Sequence, residues 1–348
     1  MTNKEYTIGV DVRFAKTPFG IGRYTRELSK ELSKRNDSWD YSFICPDIPY
    51  YSLGEQTKMP REIRNADLDL IHIPHFNVPV RCPIPFVVTI HDLILHHYPN
   101  EAGFIKRSAY KFLMQNAVKK SAHIIAVSQF TADSIKETYG EHIGEKITVI
   151  HGGVSDNFKP ASEDEKTEIR NRYDLNSKFI IYTGSAKEHK NVQTLIDACP
   201  EELKLVLVTG GKEVANLKTR SNTIILNDVA DEDLPALLSS AECFVFPSLE
   251  EGFGLPAIEA MACGCPVVAS NRGSLPEVCD GNAIIVEPTV NGIQSGINEQ
   301  LTMNNARPDD PVGREQLRSE LVLYAKKFSW EKAAEETAKV YRKMFYVH

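Results

Sequence analysis

Apolar residues in this chain fall into short dense runs, separated by polar stretches whose apolar positions recur at helical spacing. The runs predict strands at 6–12, 41–44, 70–73, 86–90 and 123–127, and another opening at 147. A second series is predicted at 179–184, 205–208, 224–226, 243–246 and 266–269. Between them Tyr24, Leu28 and Leu32 mark one face of a helix, and residues 104–120 read as another. A helix follows Ser128 as cap, others hold Leu195 with Ile196 and span 233–241, and 273–277 looks like a capped helix start. A last helix opens after Ser329 with apolar Trp330, Ala334, Ala338, Tyr341 and Phe345. Strands alternating with helices make this an α/β chain. The segment 155–174 is charged, proline-interrupted and then helical, so the domain boundary is set there, at 160.

The 348 residues are enough for two domains with separate cores. With 42% hydrophobic and 25% charged residues and a mean hydropathy of −0.28, the composition is that of a soluble globular protein. A formal charge of −7 gives no bulk attraction to nucleic acid. No apolar run approaches the ~20 residues of a membrane span. The first residues run straight into a strand, so no signal peptide is expected. Seven cysteines, an odd number, sit mostly among apolar neighbours (Cys45, Cys199, Cys243), which predicts reduced thiols and a cytoplasmic location. Cys263 and Cys265 read as small buried residues rather than a metal or redox pair.

Three patterns suggest chemistry that their surroundings do not support. A strand, Gly20-Ile21-Gly22 and a helix invite a dinucleotide-binding reading, but Thr25 stands where the third glycine belongs and no acidic residue closes the second strand. Asp67 and Asp69 imitate an Asp-x-Asp metal motif without neighbouring carboxylates. His72, His75, His91, His96 and His97 lack the spacing of zinc ligands. His91 is nonetheless informative, because the carboxyl end of a strand faces the ligand crevice in open α/β sheets.

The richest stretch is 248–268, SLEEGFGLPAIEAMACGCPVV. The turn at Gly252, Phe253 and Gly254 leads into a helix expected to start at Pro256, and Gly264 with Pro266 ends it. A helix mouth behind a glycine turn attracts anions such as phosphate. Glu259, about one turn inside the helix, is suited to accept hydrogen bonds from ligand hydroxyls, and Glu251 can reach a second polyol across the phosphate. Two carboxylates flanking a phosphate site suggest a nucleotide joined to a sugar. A solvated Glu251 with a salt-bridged Glu259 is the plain structural alternative.

The stretch from Glu251 to Val268 resembles the signature of the retaining glycosyltransferases of family 4, in particular bacterial mannosyl- and rhamnosyltransferases. The resemblance implies the GT-B fold, two Rossmann-like doubly wound domains facing across a cleft. Residues 1–160 would form the acceptor-side domain, joined by a crossover helix at 329–348, and 161–328 the donor-binding domain. It further implies that Glu259 binds ribose, that Glu251 contacts the donor hexose, and that the turn of Gly252, Phe253, Gly254, Leu255 and Pro256 holds hexose and diphosphate. Gly20-Ile21-Gly22-Arg23 resembles the family's N-terminal loop near the diphosphate, with Arg23 either an anion contact or a solvated first-turn arginine. His91, followed by Asp92 of lesser weight, resembles its histidine beside the hexose. Gly184 matches the turn after the first strand of the second domain, and Lys190 its diphosphate-binding lysine. The family places an arginine where this chain has Ser185, a departure that Lys187, His189 or Arg23 would have to compensate.

The reaction implied is retaining hexosyl transfer from a nucleotide-diphospho-sugar, a GDP- or UDP-linked substrate with GDP-mannose first, to a glycan or lipid-linked acceptor. No cofactor or metal is expected, since lysine and helix dipole carry the charge. Family members with lipid-linked acceptors touch the bilayer through a basic helix, so the helix 104–120 is either a plain solvated basic face of a cytoplasmic protein or a membrane-surface contact that makes that protein peripheral to the inner membrane face. A catalytically idle nucleotide-sugar-binding scaffold is the alternative that Ser185 leaves open. A nucleotide-sugar 2-epimerase shares the fold but not this signature.

Overall fold

The computed structural model describes residues 6–17, 20–305 and 311–346. The chain divides into two compact units, Met1–Gly153 with Ser329–His348, and Val154–Phe328. The division falls between Gly153 and Val154 rather than at 160.

Unit 1 is built on a parallel sheet of β1 (Thr7–Asp11), β2 (Asp40–Ile44), β3 (Leu70–Ile73), β4 (Phe86–Ile90), β5 (His123–Ala126) and β6 (Ile147–Val149). Their order across the sheet is β2-β1-β3-β4-β5-β6. Strands β3, β4 and β5 are buried along their whole length, which is why they read as dense apolar runs, broken by His72, Thr89 and His123. Edge strand β2 is partly exposed, and Cys45 just beyond it is exposed. The apolar neighbours of Cys45 therefore misplaced it, because an edge position is not written in local composition. The other cysteines are free thiols, and Cys263 and Cys265 are buried.

The helix Gly20–Ser33 buries Tyr24, Leu28 and Leu32. It starts at Gly20, so the glycines expected in a loop form its first turn. Against it packs Trp330–Tyr346, capped by Ser329, whose Oγ accepts from the Lys332 N–H at 3.1 Å. Trp330, Ala334, Ala338 and Tyr341 are buried, and Phe345 stacks on Tyr6 at 4.2 Å. Ser128 caps Gln129–Tyr139 through the Thr131 N–H at 3.0 Å.

Unit 2 repeats the plan with β7 (Phe179–Thr183), β8 (Lys204–Val208), β9 (Thr223–Leu226), β10 (Phe244–Phe246), β11 (Val267–Ser270) and β12 (Ile284–Val286), in the order β12-β11-β10-β7-β8-β9. Counted from β7, this is the Rossmann order, which reverses between β7 and β10. The first and fourth strands of the unit thus flank the crevice where such sheets take ligands. The helices Val290–Asn305 and Pro311–Ala325 were not anticipated, and no described helix is long and apolar enough to cross a membrane.

Candidate functional site

In unit 2 the loops after β7 and β10 bring the expected donor residues together at the switch point. The Lys190 Nζ donates to both carboxylate oxygens of Glu251, at 2.7 and 2.8 Å. The lysine side chain is 19% exposed and the glutamate 8%, so Glu251 is not solvated. Lys190 also lies 5.7 Å from the centroid of the Phe246 ring at the end of β10. Glu259 is buried on the helix Leu255–Ala262, 2% exposed. That helix begins at Leu255, which places Pro256 second, and Gly254 precedes it at φ +96°.

Local chemistry fixes both sides of the ion pair. Asn191 takes up the left-handed conformation at φ 56°, and its Nδ2 donates to the carbonyls of Pro247 (3.1 Å) and Pro288 (3.0 Å). The Leu249 N–H donates to the His189 carbonyl at 2.7 Å, so the lysine loop and the glutamate loop are tied backbone to backbone. Behind Glu251, Gly273 adopts φ +60°, and a Cβ there would stand 2.6 Å from the Glu251 nitrogen. Only glycine lets the next residue close in. Ser274 then donates its N–H to the Glu251 carbonyl (3.2 Å) and its Oγ to the Phe253 carbonyl (2.8 Å). Ser274 therefore braces the signature turn and does not cap the helix Leu275–Cys279 that follows.

Gly184 turns the chain out of β7, and the Tyr182 hydroxyl donates to the Ser185 carbonyl at 2.7 Å. Of the residues named to compensate for the missing arginine, Lys187 is exposed and His189 is buried. Asn191, Gly273, Ser274 and the Tyr182 hydroxyl escaped the sequence reading. The glycine and serine before Leu275 were the available signal.

In unit 1, Gly20, Gly22 and Arg23 lie in the first turn of their helix, and from that helix Tyr24 meets the His91 ring edge-on at 4.8 Å. His91 follows β4 at its carboxyl end, and its Nε2 contacts the Pro74 carbonyl at 3.0 Å. A carbonyl only accepts, so Nε2 carries the proton and Nδ1 is left as an acceptor. Burial holds His91 below its ordinary pKa, although the Pro74 bond and Asp92 pull it up. Asp92 accepts the Ile94 N–H at 3.1 Å and so serves the turn.

His72, His75 and His96 are engaged within the fold. His72 contacts Tyr341 Oη (2.6 Å) through Nδ1 and Thr89 Oγ1 (2.8 Å) through Nε2. His75 stacks on Phe14, and His96 sits between Tyr110 and Tyr139. Among the described residues no group of His, Cys, Asp and Glu is arranged to hold a metal ion. Asp69 accepts the Thr7 N–H at 2.8 Å.

Solved structures share this architecture across its length. Sucrose-phosphate synthase from Thermosynechococcus elongatus gives a TM-score of 0.78 at 19% identity, covering 98% of this chain and 99% of that one. Anabaena HepE, solved with UDP and glucose, gives 0.75 at 18%, covering 97% and 100%. The fold class is thus that of the GT-B glycosyltransferases. Residues 40–158 match the family model described as Glycosyltransferase Family 4, and 164–310 match Glycosyl transferases group 1. The chain thus carries a glycosyltransferase family 4 domain followed by a glycosyl transferases group 1 domain.

Among its relatives, O-antigen chain mannosyltransferase B of Escherichia coli is 29% identical over 317 residues, 85% of this chain and 80% of that protein. O-antigen chain mannosyltransferase RfbU of Salmonella typhimurium is 31% identical over 212 residues, 58% of this chain and 56% of that protein. The match to the serotype-specific mannosyltransferase WbdA of Escherichia coli spans 84% of this chain but 36% of that protein.

Proposed function

We propose that this glycosyltransferase moves a hexose, with retained anomeric configuration, from a nucleotide-diphospho-sugar to a hydroxyl of a glycan or lipid-linked acceptor. The reading rests on one arrangement: Lys190 and Glu251 paired at the switch point, with Glu259 buried one turn inside the adjoining helix. Glu259 binds the ribose hydroxyls and Glu251 the hexose. The turn of Gly252, Phe253, Gly254 and Leu255 receives hexose and diphosphate. Lys190 and the helix mouth stabilise the charge that builds on the departing diphosphate. The bond from the anomeric carbon to the diphosphate breaks as that to the acceptor oxygen forms, and the acceptor proton passes to the leaving phosphate. His91, neutral with a bare Nδ1, accepts from a hexose hydroxyl.

The names of the relatives favour mannose, hence GDP-mannose, and a role in cell-surface polysaccharide or glycolipid synthesis. HepE, solved with UDP and glucose, makes UDP-glucose the competing donor. A lipid-linked acceptor fits the helix Phe104–Lys120, where Phe104 (75%), Ile105 (85%) and Phe112 (58%) are exposed among basic residues. On this reading the protein works at the cytoplasmic face of the inner membrane.

Thermal-shift measurements with GDP, UDP, ADP and dTDP test the site. A ligand at 100 times its dissociation constant adds about 2.7 kcal/mol of stability. One base should win, with its shift lost in Glu259→Ala, and the matching sugar nucleotide should turn over with the product anomer unchanged by NMR. Binding without turnover of any donor would favour the idle scaffold that Ser185 leaves open.

A further inference from the structure

Lys190 and Glu251 serve different parts of the donor in the function proposed above, yet the structure shows them spending their charges on each other. Both glutamate oxygens accept from the one ammonium group, at 2.7 and 2.8 Å. Neither partner is free to drift. The Glu251 backbone is held by the Ser274 N–H and backed by Gly273, and the Lys190 loop is pinned through Asn191 to the Pro247 and Pro288 carbonyls. The nearby Tyr182 hydroxyl is already donating to Ser185. What can move is the flexible lysine stem.

A diphosphate arriving alone must therefore draw the ammonium toward itself. It leaves behind a carboxylate only 8% exposed, stripped of its counter-charge and facing an anion. A buried carboxylate in that position is strongly disfavoured. A complete nucleotide-sugar brings a diphosphate for Lys190 and, in the same molecule, hexose hydroxyls whose O–H groups donate to Glu251. Both halves of the ion pair are then satisfied.

We propose that the Lys190–Glu251 ion pair makes the site select the complete nucleotide-sugar against the nucleoside diphosphate it releases, with Glu251 as the specificity-determining residue. This rests on the donor-site reading above. It implies weak product inhibition, because the leaving nucleotide loses its hold once the hexose has gone and the pair re-forms.

The test is calorimetric titration with GDP, GDP-mannose, UDP and UDP-glucose against wild type, Glu251→Gln and Glu250→Gln. Glu250 is an adjacent buried carboxylate that controls for simple loss of negative charge. Wild type should bind the winning sugar nucleotide more tightly than its bare diphosphate. Glu251→Gln should tighten the bare diphosphate by on the order of tenfold while weakening the sugar nucleotide, reversing the preference. Glu250→Gln should move both ligands in the same direction.

A wild type that prefers the bare diphosphate would overturn the proposal, and this arm needs no variant to fold. So would a Glu251→Gln protein whose two affinities shift by the same factor. If none of the four ligands binds wild type, the donor-site reading itself falls.

Discussion

In unit 1, Arg13 stands just past β1, its Nε bonded to Asp11 at 3.0 Å and its Nη1 to Glu55 at 3.0 Å, all three side chains at most 2% exposed. The Asn77 amide also donates to Glu55. In unit 2, Lys190 follows β7 at the corresponding edge, paired with a single carboxylate and 19% exposed. Both cations lie where a parallel sheet offers its ligand crevice, and both hold acidic partners. The difference lies in closure. Arg13 keeps its proton more firmly than usual because Asp11 and Glu55 outweigh its burial, while burial pushes the Glu55 carboxyl up despite Arg13. The Arg13 network has committed its charges to the scaffold; the Lys190 pair can still be exchanged for a ligand. Charge at the crevice end does not by itself mark a site.

Arg13→Met should break the contrast most forcefully. It leaves Asp11 and Glu55 buried without their cation, at a cost of about 3–5 kcal/mol, read as an earlier midpoint in urea. An unchanged midpoint would mean that the unit 1 network is as dispensable as a surface pair. Lys190→Met should do the reverse, lowering turnover by about 100-fold or more while costing clearly less stability than Arg13→Met, because it strands one carboxylate that is 8% exposed rather than two that are fully buried. A large loss of stability there would make Lys190 another structural cation.

Acid separates the units in a third way. Burial pushes His72 of unit 1 down to about 3, against about 6.5 in an unfolded chain. Between those values the unfolded chain takes up a proton that the folded one refuses. The His72 contribution to stability therefore falls as pH drops below about 6.5, by about 1.4 kcal/mol per pH unit down to about 3, and does not vary above. His72→Gln should flatten part of that acid limb in a plot of melting temperature against pH.

The smallest effect expected is a gain. Ser185→Arg, restoring the family's second cation beside Lys190, should tighten a nucleoside diphosphate by roughly 3- to 10-fold in titration. No gain would indicate that the Tyr182-anchored loop points its side chain elsewhere.

The fold was legible wherever one strand or one helix declared itself. The buried runs of β3, β4, β5 and β7, and the faces carrying Tyr24 or Trp330, need only local pattern. The helix Val290–Asn305 was not, because Gly292, Gly296 and its asparagines blur the apolar period. In the candidate site, the helix mouth and its glutamates were legible because glycine, proline and carboxylate have local meanings. Lys190 was reached only through the family resemblance, and its pairing with Glu251 not at all. Neither a bond between residues 61 apart nor the bracing of that turn by Gly273 and Ser274 leaves a trace in spacing.

The helix Trp330–Tyr346 completes unit 1 from the far side of unit 2 in sequence, with Tyr341 against His72 and Phe345 against Tyr6. On the ribosome this inverts the order of the chain. Unit 2 has all its strands in hand before unit 1, begun first, can seal its core. For that interval the nascent protein carries an unfinished first half, with the seat of Tyr341 uncovered, and a translational pause before Trp330 would prolong its exposure to chaperones and proteases.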